Sequence, residues 1–160
     1  MKIGRVTISN FRSISEAQLD LQDYGVCFGP NNSGKSNLID AFLFYFDQLK
    51  PTAEMFHYDG TTRAAEMWVE VQYVPDDPSE LDDLTEKYRL SDGTYIVRRV
   101  VKAGDLKKVK YHGYVEKDGT RELDDAEFFG SKNVSKAKMG AVPKLPSEIA
   151  PILPIQPGFF

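Results

Sequence analysis

The chain has 160 residues, of which 41% are hydrophobic and 12% aromatic, and a formal net charge of -4 at pH 7. That length and apolar content suit one domain with a buried core, while the acidic balance excludes a dedicated nucleic-acid-binding module, whose surface carries a basic excess. The single cysteine excludes an internal disulfide, and the amino terminus MKIGRVTISNFRS holds no apolar run of signal-peptide or membrane-span length, so the expectation is a cytoplasmic protein with no membrane partner.

In chain order, residues 3–9 (IGRVTIS) read as a strand rich in β-branched side chains, and NFRSI turns the chain. Residues 16–21 (EAQLDL) alternate, with Ala17, Leu19 and Leu21 on one side, as a half-buried strand able to pair with the first does. Residues 24–29 (YGVCFG) form a short apolar run, a buried strand ending at Gly29. SNLIDAFLFYF places Leu38, Ile39, Phe42, Leu43, Tyr45 and Phe46 on an apolar helix face that stops before Pro51. EMWVEVQYV alternates strictly, Met67, Val69, Val71 and Tyr73 against Trp68, Glu70 and Gln72, and stops at PDDP. A short acidic helix starting at Pro78 or Ser79 follows, with Leu81, Leu84 and Tyr88 on one side. TYIVRRVVK, AGD and KKVKYHGYVEKDGT read as a hairpin and a further turn at Asp118-Gly119, and the stretch after Gly130 is irregular.

Between the third expected strand and the helix lies GPNNSGKS, in which Gly29, Gly34, Lys35 and Ser36 give the G-x-x-x-x-G-K-S spacing of a phosphate-binding P-loop. Gly29 and Gly34 permit backbone geometry and close approach that a Cβ would block, so successive N–H groups can point at phosphate oxygens. Asn31, Asn32 and Ser33 form the loop body, in which Asn tolerates left-handed conformations. Lys35 is placed to bridge β- and γ-phosphates and Ser36 to put its hydroxyl on Mg²⁺, at the positive end of the helix dipole. The expected ligand set is thus Gly29, Pro30, Asn31, Asn32, Ser33, Gly34, Lys35, Ser36 and Asn37, holding ATP and Mg²⁺. A small GTPase is disfavoured, because neither D-x-x-G after the loop nor N-K-x-D occurs. A small-molecule P-loop kinase remains an alternative outside the preferred class.

ISNFRS, FGPNNSGKSNLIDA and YIVRRVV together resemble the amino-terminal lobe of the SMC-like and RecF-like branch of ABC-type ATPases, and within it the OLD (overcoming-lysogenization-defect) ATPase-nucleases. The resemblance is specific over the first third of the chain and loose after Lys50. It implies an α/β P-loop NTPase of ABC-ATPase type: a mixed sheet with an antiparallel β-section around the P-loop helix. Residues 1–50 would hold strands, loop and first helix, 51–130 the antiparallel section with its acidic helix, and 131–160 an irregular tail.

The resemblance further implies that Arg12 and Ser13 lie close to the nucleotide, and it offers Gln156 in PILPIQPGFF as the glutamine that senses Mg²⁺ or the attacking water, with an extended linker marked by Pro154 and Pro157 as the alternative. It implies a nucleotide-sandwiched homo-oligomer, DNA as a partner, a nuclease or other effector, and a role in DNA repair or defence against phage.

A Walker B strand closing on Asp-Glu, an ABC signature segment and a Toprim-like acidic cluster are not found, so this chain is expected to bind ATP better than it cleaves it, as the leading part of a longer protein. A nucleotide-dependent oligomerisation module that hydrolyses nothing is the alternative. His57 and His112 have no ligand-spaced partner, and Cys27 reads as a buried small hydrophobe. Arg98, Arg99, Lys102, Lys107, Lys108 and Lys110 make the hairpin locally basic, either a DNA backbone contact or solvated charges on an exposed sheet face.

Overall fold

Every second residue of EMWVEVQYV is apolar, and in the computed structural model, which describes residues 2–21, 35–75 and 86–125, this stretch is a central strand of a sheet. The strands are β1 (Lys2–Phe11), β2 (Ile14–Asp20), β3 (Glu66–Val74), β4 (Tyr95–Lys102), β5 (Asp105–Lys117) and β6 (Thr120–Leu123), with helix α1 (Lys35–Tyr45) between β2 and β3 and 3-10 turns at Ala53–Met55 and Glu86–Tyr88. They form one sheet in the order β2-β1-β3-β4-β5-β6, each neighbouring pair antiparallel.

The register sorts side chains by face. Val6 and Ile8 of β1 stand opposite Val71 and Val69 of β3, and Val71 stands opposite Val97 of β4. Val6, Ile8, Met67, Val69 and Val71 are wholly buried, and Val97 and Tyr73 nearly so. On the reverse face the row Thr7, Glu70, Arg98, His112 runs across β1, β3, β4 and β5. A slip of one residue would exchange these two rows, so the alternation read in the sequence fixes the pairing.

Helix α1 lies on the apolar face, against β3 and β1. Its buried side chains are Ala41, Phe42, Phe44 and Tyr45, continued by Phe46, whereas Leu38, Ile39 and Leu43 are only half-buried. The sequence pattern placed the stripe on Leu38, Ile39, Phe42, Leu43, Tyr45 and Phe46, of which Phe42, Tyr45 and Phe46 are buried, and passed over Ala41 and Phe44. The reason is physical: five consecutive apolar residues from Phe42 to Phe46 carry no period, so the face is chosen by fit. Ala41 has little side chain to hold the helix off the sheet, and the Phe44 ring packs on Phe11 at 5.9 Å between centroids.

The helix ends in two crossed hydrogen bonds. Gln48 N–H donates to the Leu43 carbonyl at 2.8 Å and Asp47 N–H to the Phe44 carbonyl at 3.2 Å, with Asp47 left-handed at φ 58°. That is a Schellman cap with aspartate where glycine is usual. Arg99 of β4 makes the exception tolerable. Its guanidinium donates through Nη1 to the Phe44 carbonyl and through Nη2 to Asp47 Oδ1 at 2.9 Å, and sits over the rings of Phe44 and Tyr111 at 5.0 and 5.1 Å. Around it Tyr111 O–H donates to the Tyr45 carbonyl at 2.6 Å, and the hydroxyls of Tyr45 and Tyr73 share a hydrogen bond of 2.7 Å. Burial pushes the Tyr111 hydroxyl up to about 12 and raises Tyr45 and Tyr73 as well, so all three stay neutral.

The sheet of the described residues is wholly antiparallel, and the mixed character expected from the stretch 24–29 lies outside them. Of the acidic helix expected after Pro78, the described part is the 3-10 turn Glu86–Tyr88, and the remainder lies outside the described residues.

Arg99→Ala takes one of two donors from the Phe44 carbonyl and the guanidinium from the carboxylate of the left-handed Asp47. Urea unfolding of the variant is expected to show a loss of about 3 kcal/mol, against less than about 0.5 kcal/mol for Lys107→Ala on exposed β5. Equal effects of the two changes would contradict the capping role.

Candidate functional site

Only Arg12 and Ser13 separate β1 from β2, and Arg12 takes a conformation that a side chain resists. Its φ is 51°, and that of Asn10 is 57°. Tight hairpins need left-handed backbone, which Gly or Asn supplies readily, so Asn10 fits its place while Arg12 costs about 1–3 kcal/mol.

The surroundings impose this geometry. Arg12 N–H donates to the Met55 carbonyl at 2.6 Å, and His57 N–H to the Asn10 carbonyl at 2.9 Å. His57 Nδ1 lies 2.6 Å from the Arg12 carbonyl, and because a carbonyl only accepts, that nitrogen carries the proton. Asn10 Nδ2 donates to the Glu66 carbonyl at 3.1 Å. Phe11 and Phe56 form a bridge between the hairpin and the segment that follows the turn Ala53–Met55.

Helix α1 grips the same turn from the other side. Asn37 Nδ2 donates to Ser13 Oγ at 2.6 Å, and Arg12 Nη1 lies 3.2 Å from Asp40 Oδ2. Asn37 and Asp40 are three residues apart and so share a helix face. The Arg12 Nε–H is buried and has no partner among the described residues. With the side chains 37% and 25% exposed, the Arg12–Asp40 pair contributes about 0–1 kcal/mol. An unsatisfied buried N–H costs about 1–3 kcal/mol, and the left-handed Arg12 adds to that. The ion pair alone does not offset these costs, so the geometry of the turn depends on the hydrogen bonds with Met55, His57 and Asn37.

Lys35 is the first residue of α1, Ser36 is exposed, and the first turn holds no acidic residue. The positive end of the helix is therefore not neutralised from within, which is what an anion at that end requires. Asp40 lies four residues beyond Ser36, about 6 Å along the axis.

Of the residues that the sequence assigned to nucleotide, Arg12, Ser13, Lys35, Ser36 and Asn37 are thus gathered at one end of α1. The Asn37 amide and the Ser13 hydroxyl, however, are joined to each other. Gly29, Pro30, Asn31, Asn32, Ser33, Gly34 and Gln156 lie outside the described residues, as does Cys27. Asp40 and His57 were not singled out for this site. The one available signal for Asp40 is a lone carboxylate within the run Leu38 to Phe46, which is otherwise apolar; for His57 there is none, because its contact is with a backbone carbonyl 45 residues away in sequence. His112 likewise bonds a carbonyl, that of Asp124, at 2.9 Å.

The basic hairpin divides between two faces. Arg99, expected at the surface, is buried under α1, because it alternates with Arg98 on a strand whose one face is the core. Arg98 lies on the reverse face with its guanidinium 3.6 Å from the Trp68 ring centroid, bonded to Glu70 at 2.9 Å and to the Tyr114 hydroxyl at 2.8 Å. A cavity of about 520 Å³ opens there, lined by Arg98, Lys102, Lys108, Lys110 and His112 but also by Glu66, Asp105 and Asp125. Its charges nearly cancel, so this face lacks the one-signed field of a nucleic-acid groove. Among the described residues no helix is long and apolar enough to cross a membrane.

The chain is similar in sequence and in fold to known proteins. The chain is 29% identical over 139 residues to structural maintenance of chromosomes protein 4 of Dictyostelium discoideum, a match covering 78% of this chain and 9% of that protein. It is 38% identical over 48 residues to endonuclease GajA of Bacillus cereus (strain VD045), covering 30% of this chain and 8% of that protein. The chain thus spans less than a tenth of the length of either relative. A solved structure described as "Structural biochemistry of ATP-driven dimerization and DNA stimulated activation of SMC ATPases" matches with a TM-score of 0.50 at 15% identity, over 94% of this chain and 96% of that one. The SMC head domain from Thermotoga maritima matches over 76% of this chain and 39% of its own, with a TM-score of 0.49 and 19% identity. At such identity the first of these structures speaks to fold, and the fold is that of a P-loop NTPase. A family model described as AAA ATPase domain matches residues 1–140, and the chain belongs to that family.

Proposed function

We propose that the chain is the amino-terminal ATP-binding lobe of an SMC-like or OLD-like ATPase, in which ATP and Mg²⁺ at residues 29–36 clamp two lobes together and gate an activity on DNA. The observation that carries the reading is the run of G-x-x-x-x-G-K-S directly into the start of α1, whose first turn holds no competing acid. In this reading the loop amides and Lys35 hold the phosphates, Ser36 ligates Mg²⁺, and Arg12 adds a second cation from the β1–β2 turn. Gln156 is assigned to the metal or the attacking water. Family membership supports ATP as the nucleotide. DNA and a nuclease enter from the relatives, one an SMC protein and one an endonuclease, and dimerisation from the SMC ATPase structure. DNA repair or antiviral defence is the setting assigned to the parent protein. The charge-balanced cavity on the reverse face of the sheet favours DNA contact elsewhere in the assembly.

Within this reading the chain binds nucleotide and leaves hydrolysis to carboxylates of another segment. Titration with ATP and Mg²⁺, with phosphate release followed in the same samples, is the direct test. Lys35→Ala is expected to weaken binding at least about tenfold, equivalent to about 1.4 kcal/mol, with no turnover in either protein. Undiminished binding in that variant would overturn the assignment. Arg12→Gly separates stability from function. Glycine relieves the left-handed backbone as the half-exposed ion pair is lost, so the thermal midpoint is expected to move by less than about 4 °C while ATP affinity falls about tenfold. An unchanged affinity would remove Arg12 from the site.

A further inference from the structure

We infer that Asp40 is a positioning residue of the nucleotide site, acting through Arg12. The inference rests on the reading of residues 29–36 as the phosphate loop. Asp40 stands one helical turn beyond Ser36, and its Oδ2 holds Arg12 Nη1 at 3.2 Å. A carboxylate so near an anion site is unfavourable taken alone, because it repels the ligand. It becomes favourable if its work is to fix a guanidinium that the ligand then meets.

The geometry of the turn supports that role over simple closure of the hairpin. The pair is half-exposed and adds little to stability. Arg12 is left-handed, and two hydrogen bonds from the other side, to the Met55 carbonyl and from His57 Nδ1, keep its backbone in place. Asn37, on the same helix face, pins the neighbouring Ser13 at 2.6 Å, so the turn is fixed at two points and the side chain has little freedom to lose when it meets an oxyanion.

The sign of one substitution separates this role from electrostatics. Asp40→Asn removes a negative charge near the phosphates. If Asp40 acts only by repulsion, ATP binds tighter; if it positions Arg12, ATP binds weaker. Full-length chain, Lys35→Ala, Asp40→Asn, Arg12→Gln and the Arg12→Gln/Asp40→Asn double variant are titrated with ATP and Mg²⁺ at two salt concentrations, with thermal midpoints recorded. Asp40→Asn and Arg12→Gln are each expected to lose roughly tenfold in affinity and part of the salt dependence, at little change in midpoint, and the double variant to lose no more than either single one. Tighter or unchanged binding in Asp40→Asn, or losses that multiply in the double variant, would overturn the inference. Should Asp40→Asn fail to fold, Asp40→Glu keeps the charge but displaces it by one methylene; a partial loss supports positioning, and full affinity refutes it. No binding by the unaltered chain, or none lost in Lys35→Ala, refutes instead the reading on which the inference rests.

Discussion

The guanidinium of Arg99 under the end of α1 is the contact on which the remaining geometry depends. A helix that stops within one domain leaves carbonyls unsatisfied, and here Asp47, not glycine, takes the left-handed position that closes the cap. The carboxylate of that same residue, and the Phe44 carbonyl beside it, are the acceptors for Arg99. A buried cation would be costly without partners, but Arg99 finds a carbonyl, a carboxylate and two aromatic rings. The result joins α1 to β4 by polar bonds of fixed direction, whereas the Phe and Val contacts alone would permit sliding.

Fixing one end of α1 gives meaning to what is held at the other. Asn37 and Asp40 take Ser13 and Arg12, while Met55 and His57 hold the back of the same turn. The helix therefore links two hairpins: β4–β5 at its carboxyl end through Arg99 and Tyr111, and β1–β2 at its amino end. Movement of the helix on binding an anion would be felt at both. The chain belongs to an ATPase family, and here the link between α1 and the sheet consists of side chains drawn from distant parts of the chain.

How much of this could be read beforehand depends on whether the signal is local. The strict alternation of EMWVEVQYV carries its own register, and β3 spans those nine residues with the buried side chains on the expected face. The P-loop spacing is equally local, since a few glycines, a lysine and a serine at set intervals state their chemistry without help from the fold. Helix α1 was legible as a helix but not in its orientation, because Phe42 to Phe46 is apolar on every side. Arg99 was misjudged for a related reason. In a pair of arginines on a strand, period two sends one to each face, but nothing in RRVV says which face has a helix carbonyl waiting. Asp40 left only the trace of a lone carboxylate in its helix and His57 left none, since their contacts arise only when the turn at Arg12 is brought between them.

The central claim is that main-chain amides between residues 24–29 and α1 wrap a nucleotide's phosphates. Amide ¹H–¹⁵N spectra of the isotope-labelled chain, recorded as ATP and Mg²⁺ are added, test it most directly. The account predicts the largest shifts at Gly34, Lys35 and Ser36, smaller ones at Arg12 and Ser13, and none in β6. Saturable shifts centred on the β4–β5 face, with the amides of residues 29–36 unmoved, would contradict it.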